Sequence, residues 1–269
     1  MRHITSADNP HFKALLKLHH SSRERRKAGL SLLDGVHLVS AYLEHVGAPE
    51  QVVVNRTHCD DREIVALLDS HLMPEPLVLS DALFRGLSSV STPTGLIASV
   101  KTPQARAAPA TMGPCVMLDS IQDPGNVGSI LRSSAAAGIP EIYLSRSCAH
   151  AWSPRVLRAG MGAHFALRIY EDVDLDALVR AYPGQVFAAA GDGAALFYEA
   201  DLTGRVALLF GNEGAGLSAA LREAAHASIS IPMPGKAESL NVAAAAAVCL
   251  FERVRQETVS GKRASCSVS

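Results

Sequence analysis

Short, continuously apolar runs punctuate this chain, and stretches with a helical spacing of hydrophobic positions fill the gaps between them. In the first hundred residues, amphipathic patterns over Pro10–His20 and Val36–His45 alternate with β-like runs at Gln51–Val54, Leu77–Leu79 and Gly95–Val100. That alternation predicts a small α/β domain over residues 1–101. Residues 102–113, TPQARAAPATMG, are rich in Pro, Ala and small polar residues and read as a linker. Beyond it the pattern is cleaner. Strands are expected at Cys115–Leu118, Glu141–Leu144, Phe165–Ile169, Val186–Ala190, Val206–Phe210 and Ala227–Ile231. Helices are expected at Asn126–Ala137, Ser153–Ala159, Leu175–Ala181, Ser218–Ala224 and Leu240–Thr258. Buried-type strands alternating with helices predict a parallel sheet covered on both faces, with ligands at the carboxyl ends of its strands. This second α/β domain is expected over 114–258, with a disordered tail over 259–269.

Composition narrows the class only a little. The 269 residues are 48% hydrophobic and 19% charged with a net charge of −1, as in an ordinary soluble globular chain with room for two domains. No global basic field announces a nucleic acid. Locally, residues 1–30 carry Arg2, Lys13, Lys17, Arg23, Arg25, Arg26 and Lys27 against Asp8 and Glu24. That stretch reads either as a solvated helix face or as a phosphate-contacting surface. The five cysteines are scattered without a C-x-x-C, and the eleven histidines include no H-E-x-x-H, so no metal is expected. A reducing cytoplasm is the simplest compartment. The longest apolar stretch, Val242–Phe251, is about half a membrane span, so no membrane partner is expected.

Three constellations carry candidate chemistry. In the first, the run ending at Leu118 leads through the turn Asp123-Pro124-Gly125 to Asn126, which can cap a helix holding Gly128 and Arg132. Gly128 in the first turn costs roughly 1 kcal/mol relative to Ala, a hint of close approach. Arg132 among Ile130, Leu131 and small residues either snorkels to solvent, pairs with a carboxylate, or acts. In the second, Val206–Phe210 delivers Gly211-Asn212-Glu213-Gly214-Ala215-Gly216-Leu217, a loop whose glycines permit close backbone approach to a ligand. In the third, Ile231-Pro232-Met233 leads through Gly235 to Ser239-Leu240-Asn241, where the Ser239 and Asn241 side chains can serve the exposed N–H groups of an alanine-rich helix. Gly191-Asp192-Gly193 has Leu196 where a dinucleotide fingerprint needs glycine, and no P-loop or G-x-S-x-G elbow exists.

Together these constellations, in this order and spacing, resemble the motifs of the SpoU/TrmH family of RNA 2′-O-ribose methyltransferases within the SPOUT superfamily. The first motif resembles Asn126-Val-Gly128 with Arg132, the second Phe210–Leu217, and the third Ile231-Pro-Met233 with Ser239-Leu-Asn-Val242. Ile4–Asn9, Leu33–Leu38 and Thr94–Val100 resemble the ribosomal-protein-like RNA-binding domain that precedes many such catalytic domains. Asp34 stands where that pattern more often has Glu, and Ala243 where relatives often have Ser.

The resemblance implies a deep trefoil knot, a homodimer, and S-adenosylmethionine as cofactor. It implies Asn126, Arg132, Glu213, Ser239 and Asn241 as catalytic residues, and Phe210, Gly211, Asn212, Gly216, Ile231, Met233, Ser239, Leu240 and Asn241 around the cofactor. RNA contacts fall to Lys13, Lys17, Arg23, Arg25, Arg26, Lys27 and Arg132. The separate amino-terminal domain favours 23S ribosomal RNA as substrate. A tRNA substrate and a non-catalytic RNA-binding assembly factor are the alternatives.

Overall fold

The structure is a computed structural model that describes residues 2–90, 92–103, 112–192 and 195–261. Most of the expected linker (104–111) and of the expected tail (262–269) lies outside the described residues. Two compact units divide the chain: Met1–Pro103 with Trp152–Phe165, and Gln104–Ala151 with Ala166–Ser269.

The first unit runs β1 (Arg2–Ile4), α1 (Pro10–His20), α2 (Ser22–Ala28), β2 (Leu30–Asp34), α3 (Val36–His45), β3 (Gln51–Asn55), α4 (Arg62–Leu68), β4 (Leu77–Leu79), α5 (Asp81–Leu87) and β5 (Leu96–Lys101). Its sheet has the order β1-β4-β3-β5-β2, with β5 antiparallel to both neighbours. Asn9 starts α1 by accepting the His11 N–H at 2.9 Å, and Pro10 supplies a preset φ at the first helical position. The face of α1 bearing Phe12, Leu15 and Leu18 packs with Phe84 and Leu87 of α5 against Leu32, Val53, Leu79 and Ile97 of the sheet. Lys13 and Lys17 are left exposed. Asp34 ends β2, and its Oδ2 accepts from the Ser88 hydroxyl (2.8 Å), the Ser89 N–H (2.9 Å) and the Ser89 hydroxyl (3.1 Å).

The second unit runs β6 (Cys115–Leu118), α6 (Pro124–Ala136) and β7 (Glu141–Ser145) before the chain visits the first unit through α7 (Pro154–Gly160). It resumes with β8 (Arg168–Val173), α8 (Leu175–Ala181), β9 (Gln185–Ala189), β10 (Ala195–Leu196), β11 (Val206–Phe210), α9 (Ala219–Ala224), β12 (Ala227–Ser230) and α10 (Val242–Val259). All seven strands are parallel, in the order β10-β12-β9-β11-β6-β7-β8. Met117, Tyr143, Val179, Leu209 and Leu221 belong to one core on this sheet. The expected strand at Phe165–Ile169 is displaced: Ala163–Ala166 form a 3-10 turn and the strand begins at Arg168. Phe165 is engaged instead by an edge-on contact with Tyr42 in the first unit, ring centroids 5.4 Å apart.

This strand order decides where a ligand can sit. From β6 the chain runs outward through β7 to β8, then crosses back to place β9 and β11 on the other side of β6. Loops leaving β6 and β11 therefore emerge side by side, with Leu118 paired to Phe210 and the Asp119 N–H donating to the Phe210 carbonyl at 2.8 Å. Such a switch point opens a crevice at the carboxyl ends of the strands.

Candidate functional site

The loop after β11 folds on its own asparagine. Asn212 exchanges backbone hydrogen bonds with Gly216 at 3.1 and 2.9 Å, while its Oδ1 accepts the N–H groups of Gly214 (3.0 Å) and Ala215 (2.9 Å). Its Nδ2 ties the loop to the Ser120 carbonyl at 2.8 Å. Gly211 has no room for a side chain, since a Cβ there would collide with the backbone of Gly216 and Leu217. Gly216 has φ +68, a conformation that suits glycine.

Glu213 reaches across to the loop after β6. Its carboxylate accepts the backbone N–H groups of Gln122 (3.2 Å) and Asp123 (3.1 Å) and the Asn126 side-chain amide (3.0 Å). Partial burial pushes its carboxyl up, but the hydrogen bonds from Asn126 and from backbone amides outweigh burial and hold it below the usual range. An ionised carboxylate with its lone pairs so occupied is a strut, not a base.

The third motif joins the same chain of bonds. Asn241 donates from Nδ2 to the Asn126 Oδ1 at 2.9 Å, and its own Oδ1 caps α10 through the N–H groups of Ala243 (2.9 Å) and Ala244 (3.3 Å). Asn126 is itself placed by Asp123, the N-cap of α6, whose Oδ1 accepts its N–H at 2.9 Å. Asn241, Asn126 and Glu213 thus form a continuous donor-to-acceptor line joining the starts of α10 and α6 to the glycine loop. Helices α6 and α10 pack against each other.

Beside this line lies a pocket of about 440 Å³ at the carboxyl ends of β9, β11 and β12. Of the residues expected around a cofactor, Phe210, Gly211, Asn212, Gly216, Ile231, Met233, Ser239 and Leu240 line it. Asn241 does not, and acts from behind through Asn126 and the α10 cap. The sequence reading missed the stretch Ala189–Asp192, Arg222 and Glu238, which line it too. Arg222 and Asp192 form an ion pair at 3.0 Å. The signal for the first stretch was present: Gly191 follows a strand end, although the dinucleotide pattern around it fails.

The pocket fits a nucleoside-based cation such as S-adenosylmethionine. Ala189, Ile229 and Val242 offer an apolar face for a purine, strand-end backbone groups offer hydrogen bonds to its edges, and Glu238 supplies negative charge. Arg132 sits elsewhere on this surface. It is exposed on α6, six residues past Asn126, and among the described residues no hydrogen bond or ion pair holds it.

The basic stretch at the amino terminus divides in two. Lys13, Lys17, Arg23, Arg26 and Lys27 are exposed on α1 and α2. Arg25 is 5% exposed and donates from Nη1 to the carbonyls of Leu18 (2.6 Å) and His19 (3.1 Å). It closes the carboxyl end of α1 and is withdrawn from any phosphate-facing surface, a correction to its expected RNA contact. Among the described residues no cluster of His, Cys, Asp and Glu is placed to hold a metal ion, and no helix is long and apolar enough to cross a membrane.

Comparison with known proteins adds a second line of support. Residues 113–251 match the SpoU rRNA Methylase family, and residues 9–98 match the MRM3-like substrate binding domain. The 23S rRNA (guanosine(2553)-2′-O)-methyltransferase RlmP of Bacillus subtilis is 32% identical over 254 residues, covering 93% of this chain and 98% of its own length. A solved RNA 2′-O ribose methyltransferase structure superposes with a TM-score of 0.80 at 30% identity, covering 95% of this chain and 99% of its own. The SpoU methyltransferase AviRb from Streptomyces viridochromogenes, in complex with AdoMet, gives 0.80 at 27% identity, covering 93% of this chain and all of its own.

Proposed function

The chain belongs to the SpoU rRNA methylase family, and on that premise we propose that it methylates a ribose 2′-hydroxyl of 23S ribosomal RNA, using S-adenosylmethionine. The observation that carries this reading is the convergence of the segments after β9, β11 and β12 on one pocket, braced against the loop after β6 by the Asn241–Asn126–Glu213 line. Bound there, S-adenosylmethionine would supply an electrophilic methyl group. Backbone groups of Phe210, Gly211, Ile231 and Leu240 would hold its adenosine part, and Ser239, which lines the same pocket, would border the site of transfer.

Arg132 acts on the RNA. A guanidinium with a pKa above ~12 is no base, so its part is to fix a neighbouring phosphate and stabilise negative charge as it develops on the attacking 2′-oxygen. The departing proton goes to water. Positioning supplies much of the rate in such a displacement.

Two further features belong to this reading. The carboxyl third forms a trefoil knot, which would explain why loops so far apart in sequence share one pocket. The protein works as a homodimer through α6 and α10: Ala136 on the one and Ala244 and half-exposed Phe251 on the other leave a small-residue and apolar surface that a second copy would cover. Ribosomal RNA as substrate places the enzyme in the cytoplasm.

The test is transfer of labelled methyl from S-adenosylmethionine into size-fractionated RNA from a strain lacking this gene. Label in large ribosomal RNA, recovered as an alkali-resistant dinucleotide, is the expected result. Label in tRNA alone would overturn the substrate. No label in naked RNA or assembled subunits, with cofactor binding intact, would overturn the enzyme reading in favour of a scaffold.

A further inference from the structure

The first unit contains a pocket of its own, about 380 Å³, that takes no part in the site described above. Its wall is the turn from β2 into α3, with His58 from the segment after β3, Thr92 and Thr94 ahead of β5, and Arg158 and Met161 of α7 closing it. The volume lies in the ~300–1,000 Å³ range of small-ligand sites, so it suits one nucleotide and excludes a duplex.

His58 is built into this wall. Gly95, at φ +87, leaves the space the ring occupies; a Cβ there would collide with it. The Thr57 hydroxyl lies 3.3 Å from Asp81 Oδ1 and 3.1 Å from His58 Nδ1; when its one proton points to Asp81, Nδ1 carries the hydrogen and donates back to it. In that tautomer His58 Nε2 is an acceptor. Two carboxylates of the wall are partly engaged: Asp34 through Oδ2 with Ser88 and Ser89, and exposed Asp61 through Oδ1 with the cap of α4. What remains is mixed. Arg158, Thr92 and Thr94 donate, exposed Glu63 accepts, His58 and exposed His37 offer ring nitrogens, and Val90 and Met161 offer apolar surface. A bare phosphate is met by donors alone, whereas a nucleobase needs donors and acceptors for its edge and an apolar surface for its face.

We propose that this pocket binds one unpaired nucleotide of the RNA substrate, reading its base edge with His58, Thr92 and Thr94. The proposal rests on the RNA methyltransferase reading above, and adds a recognition point outside the catalytic unit. Met161 sharpens it: a methionine at φ +48 and 52% exposed, at the carboxyl end of α7, is a strained apolar group kept at a polar rim.

The experiment measures retention of labelled large-subunit ribosomal RNA by the full chain on filters, beside methyl transfer, S-adenosylmethionine affinity and melting temperature. Thr92→Trp fills the pocket without changing charge, and His58→Ala removes the acceptor. Each is expected to weaken RNA binding about tenfold, the scale of removing one base interaction, with cofactor affinity within about twofold. Wild-type RNA affinity in a folded Thr92→Trp protein that still methylates would overturn the pocket and spare the enzyme reading. Weaker binding only in Arg158→Ala would reduce the pocket to a phosphate-attracting rim and also overturn it. RNA binding weakened by Thr92→Trp, where the wild-type protein itself methylates nothing, would uphold the pocket and sink the enzyme reading.

Discussion

Asn241 donates its side-chain amide to Asn126 at 2.9 Å, across 115 residues of sequence. Both side chains are used at both ends: Asn241 caps α10 and Asn126 donates onward to Glu213. Asn241→Ala is expected to cost about 1 kcal/mol through the cap alone. Asn126→Asp should do more harm to cofactor binding, because it sets a second carboxylate against Glu213 and removes the donor between them. Calorimetric titration of S-adenosylmethionine into both variants checks the order; equal affinity in Asn126→Asp and wild type would reject the line as a determinant of the pocket.

Gly211 and Gly214 lie in one loop but differ in surroundings. A Cβ at Gly211 meets the backbone of Gly216, whereas one at Gly214 meets only the Asn212 Oδ1 at 3.7 Å, an ordinary contact. Gly211→Val is expected to abolish cofactor binding in a folded protein, and Gly214→Ala to leave it near wild type. Circular dichroism with equilibrium dialysis separates loss of fold from loss of site.

Arg132 carries the chemistry assigned to a planar fork. Arg132→Lys keeps the charge and loses the fork, and should lower kcat by about a hundredfold with cofactor affinity unchanged. Single-turnover methyl transfer at saturating RNA measures this. Near-full turnover would reduce Arg132 to a point charge.

The fold and the site were legible in unequal measure. Strands β6 and β11 stand where the apolar runs placed them, because a strand buried on both faces needs an uninterrupted hydrophobic run. Strand β2 escaped detection: Ser31 is fully buried at its second position, its hydroxyl 2.7 Å from that of Thr102, a partner 71 residues away. The seven-residue helices α2, α4 and α5 are too short to show a period. Motif order announced that Asn126, Glu213 and Asn241 share a site, but not what each does. Asn212, expected at the cofactor, spends its side chain folding its own loop, and Arg25 differs from its basic neighbours only in where the turn between α1 and α2 points it.

Acid should open the site through Glu213. Its folded pKa lies below the ordinary 4.5, so the stability it contributes is fully present above 4.5 and is lost as pH falls through the lower folded value. Glu213→Gln is expected to flatten that limb of the curve. Melting temperature between about pH 6 and about pH 3 for both proteins measures it; identical acid limbs would show that the carboxylate's bonds carry no stability.

The exposed and the buried basic residues at the amino terminus make opposite predictions. Replacing exposed Lys17, Arg23 and Lys27 by Gln should reduce the salt dependence of RNA binding, by about 0.7 in the log–log slope for each phosphate left unneutralised on single-stranded RNA. Arg25→Gln should leave that slope alone and lower the melting temperature, since it strips α1 of two capped carbonyls. Filter binding over a salt series, with thermal melts, decides both.

The bonds that assemble the cofactor pocket join residues 87, 92 and 115 positions apart: Glu213 to Asn126, Asn212 to Ser120, and Asn241 to Asn126. Each must close a long loop before it returns any energy, so the pocket is a late event on the folding path. During synthesis the loop after β6 that braces the pocket exists long before its partners have been made. A nascent chain therefore has no cofactor site until α10 has been translated and has packed on α6. Cofactor capture then marks a molecule whose carboxyl-terminal helix is already in place, and a chain cut short before Asn241 is lost to catalysis even if its sheet survives.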